Sequence, residues 1–176
     1  MESKLTLPIL AGYLPYEVKA IATEEIDLEM ITVEKGDIMI LGGVVPKNKD
    51  WYFPDGNGDQ IEGAIFICGE GYIHSTESFK LLLRPLSSLT KQIEHNGEMF
   101  VPIEYFEIGD DSDDEIDYGK GNVKMIGLLK DMARHNFIQT SYMPYGVIKK
   151  LLEWHYDIFG GIEAGWALNL ERPTTY

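Results

Sequence analysis

The chain has 176 residues, 44% of them hydrophobic and 25% charged, which is the balance of a folded protein large enough to bury a core and not of a disordered one. Its 29 acids against 15 bases give a formal charge of −14, which argues against direct binding of nucleic acid, because that contact needs Lys and Arg to displace counterions. One cysteine, Cys68, excludes an internal disulfide and a four-cysteine zinc site within one chain.

The charge is unevenly spread. Residues 1–119 hold 24 acids and 8 bases, a net of −16, whereas residues 120–176 hold 5 acids and 7 bases, a net of +2. Apolar runs such as Ile38–Leu41 and Ala64–Cys68 fall far short of the roughly 20 residues a membrane helix needs. The first residues include an early acid and no apolar stretch, unlike a secretory signal, so a cytoplasmic protein is expected.

Tyr16–Ala20 and Ile26–Met30 alternate apolar and polar residues, the period of half-buried strands. Glu34–Asp37 then predicts a turn into Ile38–Leu41, and Gly42-Gly43 and Pro46–Asp50 break the pattern. Trp51–Asp59 combines aromatics with turn chemistry. Ile61–Cys68, a Gly69–Gly71 turn, Tyr72–His74 and Phe79–Leu83 complete what reads as a meander. Pro85–Thr90 predicts a short helix with proline in its first turn. Asn96-Gly97, flanked by two candidate strands, is a type I′ hairpin signal; a helix ending at Gly97 is the competing reading.

Glu104–Asp117 carries eight acids and no base, and residues 109–121 are expected to form an exposed acidic loop. Beyond it, Met125, Leu128, Leu129, Met132 and Ala133 recur at helical spacing. A second helix is predicted from a Ser141 cap and Pro144. Its apolar stripe holds Ile148, Leu151, Leu152, His155, Ile158, Phe159 and Ile162, with Lys149, Lys150, Glu153 and Asp157 opposite. That stripe runs past Gly160-Gly161, which allows the helix to reach a Gly165 cap before a terminal strand at residues 167–170. The whole predicts one α+β domain over residues 1–176, an antiparallel β-rich N-terminal half packed against one or two C-terminal helices.

Three stretches carry a resemblance: Leu14–Lys19; Phe79–Thr90 together with Asn96–Ile103; and Leu151–Gly160. In these blocks the chain resembles an uncharacterised family of small proteins from phages, prophages and mobile elements of gut Bacteroidetes. The resemblance implies a genomic setting and the cytoplasm of a bacterial host. It implies no reaction, cofactor or catalytic residue.

Each candidate chemistry meets a structural alternative. The run Asp110, Asp111, Asp113, Asp114, Glu115 and Asp117 invites calcium, but a binding loop begun at Asp111 puts Ile116 where glycine is needed and Asn122 where a bidentate Glu belongs. Asp55–Asp59 fails likewise, at Gln60 and Phe66. No metal or other cofactor is therefore expected. Cys68 and His74 flank a turn and offer a thiol and a base for nucleophilic catalysis, whereas a cysteine ending an apolar strand ordinarily acts as a small hydrophobe. His74-Ser75-Thr76 matches half of a two-histidine phosphoesterase pattern, and no second half exists. His155 reads as a buried histidine bonded to a backbone carbonyl. The leading expectation is a non-enzymatic accessory protein whose acidic residues 110–117 contact a basic host protein, as a nucleic-acid mimic or antagonist of host defence. A small hydrolase or ligand-binding enzyme using Cys68 and His74, and a virion component, are the alternatives. Nothing in the sequence specifies an oligomeric state.

Overall fold

The computed structural model describes residues 5, 7–28, 31–45, 63–68, 71–74, 78–107, 123–136 and 143–172. In chain order the elements are α1 (Leu7–Tyr13), β1 (Lys19–Ala22), β2 (Ile26–Leu28), β3 (Ile31–Val33), β4 (Ile38–Val45), β5 (Gly63–Cys68), β6 (Gly71–His74) and β7 (Phe79–Leu83). The hairpin β8 (Ile93–His95) and β9 (Glu98–Phe100) follows, then α2 (Pro102–Glu107), α3 (Val123–His135), α4 (Tyr145–Glu153), α5 (Gly161–Ala164) and β10 (Ala167–Asn169). The fold is α+β. Its contacts group into two compact units, residues 1–83 with 161–176, and residues 84–160.

The first unit is built on a six-stranded sheet in the order β10-β7-β1-β4-β5-β6. Every pairing is antiparallel except that of β10 with β7. Strands β4, β5 and β6 follow one another as the predicted meander. β7 instead returns to the far side of β1, which puts the first strand in the middle of the sheet. The strand expected over Tyr16–Ala20 begins only at Lys19: Leu14–Tyr16 form a 3-10 turn with Pro15 in its first turn, and Glu17 turns left-handed at φ 52°. The turn at Glu34–Asp37 is present, closed by Asp37 N–H donating to the Glu34 carbonyl at 3.0 Å and by Glu34 N–H donating to Asp37 Oδ2 at 3.0 Å.

Gly42-Gly43 does not end β4. The ladder with β5 shifts register between Leu41 and Gly43, a bulge that residues without Cβ accommodate at little cost. Met39 and Leu41 are each 1% exposed while Ile38 is 60% exposed, so this apolar run alternates between the two faces of the sheet. The short helix α1 was not legible as a period. It contributes Leu10 and Tyr13, both fully buried, three residues apart on one face, and it packs on β4 and β5. In the same unit, Trp166 covers Gly161: a Cβ there would lie 2.3 Å from the indole ring.

The second unit has its own core, in which Leu86, Leu89, Ile93, Ile103, Phe106, Leu129, Met132, Val147, Leu151 and Trp154 are buried together. Side chains of this kind contribute roughly 1.5–3 kcal/mol each on full burial. The Asn96-Gly97 hairpin is present, with φ of 53° and 81° at its two turn residues. Helix α3 buries Met125, Leu129, Met132 and Ala133 of the stripe read from the sequence, and its fifth member, Leu128, is partly buried against the same core.

Helix α4 stops well short of the expected Gly165. Its C-terminus is a Schellman motif: Tyr156 N–H donates to the Leu151 carbonyl at 2.8 Å, His155 N–H to the Leu152 carbonyl at 2.9 Å, and His155 is left-handed at φ 60°. Leu151 and Tyr156, the pair that flanks such a motif, are both fully buried. A histidine holds the position that glycine usually takes, which is why the stop was not visible in the sequence. Asp157, assigned to the solvated stripe, is consequently 6% exposed, and its N–H donates to the Arg84 carbonyl at 2.9 Å. Pro144, not Ser141, is the N-cap; Ser141 lies outside the described residues. Gly165 does cap a helix, but it is the separate one-turn α5, with Gly165 at φ 84°.

Candidate functional site

The second unit carries a surface groove of about 850 Å³ between the β8–β9 hairpin, the start of α2 and the end of α4. One wall is aromatic. Trp154, at the C-cap of α4, is 4% exposed and lies 5.1 Å from Phe100 and 5.2 Å from Tyr105, centroid to centroid, with the Tyr105 contact nearly perpendicular at 88°. Phe106 meets Trp154 from the core side at 5.6 Å. Edge-to-face packing of this type is worth about 0.5–1.5 kcal/mol per pair beyond its buried area and fixes the ring planes.

A single ammonium stands on that wall. Lys150 Nζ lies 5.6 Å from the Tyr105 ring centroid and 5.9 Å from that of Trp154, within cation–π range of both. It donates to both carboxylate oxygens of Glu153 at 2.9 Å. Lys150 and Glu153 are three residues apart on α4, so helical geometry brings them together, and both are partly covered, at 24% and 31% side-chain exposure. The other carboxylates along the groove are Glu98 and Glu104.

His95, at the end of β8, also lines the groove. Burial holds its imidazole below the ordinary value of 6.5; Arg84 and Lys150 lower it further and Glu153 opposes them. A lowered value favours the neutral imidazole at pH 7. The acidic and basic residues that line the groove beside it are Glu98, Glu104, Glu153 and Lys150. The His155 ring meets His95 edge-on at 5.6 Å.

Arg84 fixes the frame of this site. Its Nε donates to the carbonyl of Trp154 at 3.1 Å and its Nη2 to the carbonyl of Glu94 at 2.5 Å, joining the end of α4 to β8. The Trp154 carbonyl belongs to the helix terminus that α4 leaves without a helical partner.

Of the residues singled out in sequence, Cys68 ends β5 and His74 ends β6. Cys68 pairs with Gly71 and His74 with Ile65 across the β5–β6 ladder, three rungs apart, on the order of 10 Å along the strands. The ladder does not set the two positions opposite one another. Asp110, Asp111, Asp113, Asp114, Glu115 and Asp117 lie outside the described residues. Among the described residues, no group of three or more His, Cys, Asp or Glu side chains is placed to hold a metal ion, and no helix is long and apolar enough to cross a membrane.

The groove is not legible in the sequence because its two halves, residues 92–105 and 150–154, are 45 positions apart and each has an ordinary local role: a hairpin strand, a helix start, a polar helix face. The legible signal was the aromatic spacing of Phe100, Tyr105 and Phe106 ahead of Trp154. Comparison with family models, with curated proteins and with solved structures finds no match to this chain.

Proposed function

We propose that this chain is a non-enzymatic accessory protein of a phage or prophage that works in the host cytoplasm by binding a basic protein through an acidic surface. The observation that carries this reading is the charge distribution, −16 over residues 1–119 against +2 over residues 120–176. Such a field raises the rate of encounter with a basic surface and repels phosphate backbones. Within the described residues the same preference recurs at short range, where three carboxylates and one lysine line the groove beside an aromatic wall. A partner whose basic face ordinarily holds nucleic acid would meet here a competing acidic surface, and blocking that face is the proposed mode of action. Residues 110–117 add six acids to the same stretch of sequence.

The test is an affinity capture from bacterial lysate at low and at high salt, with the recovered proteins identified. A basic protein retained at low salt and released at high salt supports the reading. Recovery of no basic partner, or retention indifferent to salt, overturns it.

A further inference from the structure

We propose that the aromatic wall of the groove is a seat for one arginine side chain of a protein partner, and that Lys150 occupies this seat in the free protein. This rests on the reading of a basic partner and names the place and the chemistry of its recognition.

The Lys150 ammonium already satisfies the two requirements of such a seat. It lies within cation–π distance of Tyr105 and Trp154, and it is bound by both oxygens of Glu153. An internal cation therefore demonstrates the chemistry that the wall accepts. Lysine is a weak occupant of a site of this shape: its ammonium is a compact, strongly hydrated charge, whereas a guanidinium is planar, less hydrated, stacks on ring faces and matches a carboxylate with two parallel hydrogen bonds. Glu153 presents two oxygens, and Tyr105 and Trp154 present rings locked at 88° to one another.

Space and charge fit the same ligand. A groove of about 850 Å³ holds several side chains, and Glu98 and Glu104 remain along it to meet further basic residues once Glu153 is engaged. An anionic ligand would face three carboxylates at the cost of one lysine already paired. Lys150 has rotatable bonds enough to swing away from the wall, and its exposure of 24% leaves it a path to solvent.

The seat is tested by titrating the full chain with an oligo-arginine peptide and following backbone and indole amide resonances by NMR, in the native protein and in Lys150→Met and Glu153→Gln. The expected result is that shifts concentrate at Tyr105, Glu153 and the Trp154 indole, that Lys150→Met binds about threefold tighter because the competing cation is gone, and that Glu153→Gln binds more weakly by a similar factor. A Glu-rich peptide of equal length is expected to leave the resonances unmoved. Weaker binding of the arginine peptide by Lys150→Met, or shifts that avoid the groove, overturns the seat while leaving a basic partner in place. Absence of arginine-peptide binding to the native chain overturns the basic-partner reading as well. Both variants keep the buried core unchanged, and retention of the β8–β9 cross-peaks verifies that the unit is folded.

Discussion

The Arg84 guanidinium donates through Nε to the carbonyl of Trp154 at 3.1 Å, closing the end of α4 from a residue seventy positions earlier in the chain. The same side chain reaches the Glu94 carbonyl through Nη2, so one planar group ties the helix terminus to β8. Arg84→Met keeps much of the stem and removes both donors. It is expected to destabilise the second unit by about 1–3 kcal/mol, read as a lower urea midpoint. Arg84→Lys recovers little of this, because an ammonium cannot donate along two fixed, divergent directions. An unchanged midpoint for both variants would show that water replaces these bonds without loss.

Gly161 and Trp166 make a second sharp case. An alanine at 161 places its Cβ 2.3 Å from the indole, closer than any real contact, and Trp166 is only 8% exposed. Gly161→Ala is expected to cost about 1–3 kcal/mol and to shift the emission of Trp166 toward longer wavelength as the ring is displaced. Gly165→Ala has open space around it but a φ of 84°, so its cost is smaller, about 1 kcal/mol, and leaves the emission in place. Equal effects from the two substitutions would contradict the packing described.

How far the sequence alone reaches is visible in these residues. The Asn96-Gly97 turn, the stripe of α3 and the return strand at 167–169 were legible because each depends on local chemistry or on a period that repeats. The end of α4 was not, because His155 holds the left-handed position and the apolar stripe continues beyond it. Helices α1 and α2, of seven and six residues, are too short to establish a period. Lys150 was assigned to a solvated face, and nothing local tells that β8, β9 and α2 bring Tyr105 beneath it. Cys68 and His74 were paired by closeness in sequence, but antiparallel pairing sets each opposite another residue.

His95 gives a pH dependence with a defined sign. Its folded-state pKa lies below the ordinary value of 6.5, chiefly through burial and then through Arg84, with Lys150 acting in the same sense, Glu153 opposing and the His155 ring in edge contact. The unfolded chain thus binds a proton at a pH where the folded chain does not. Stability from this residue is complete above pH 6.5 and declines as pH falls through 6.5 toward the lower folded value. His95→Gln is expected to flatten the thermal midpoint between pH 7 and roughly pH 5 relative to the native chain. A midpoint that falls equally in both proteins across this range would assign the effect to other groups.

The paired charges of Lys150 and Glu153 are expected to contribute little to stability. Both side chains are partly solvated, and such pairs typically give about 0.2–1 kcal/mol. Lys150→Met is therefore expected to unfold within about 1 kcal/mol of the native chain, as measured by chemical denaturation. A loss of several kcal/mol would make Lys150 a structural residue and remove it as the occupant of a binding seat.

The central claim, a basic partner bound by an acidic surface, is tested most directly by calorimetric titration of the full chain with an oligo-arginine peptide across ionic strength. The expected result is saturable binding at about 0.05 M salt that weakens about tenfold or more by about 0.5 M. No binding at the lower salt, or an affinity that does not change between the two, would contradict it.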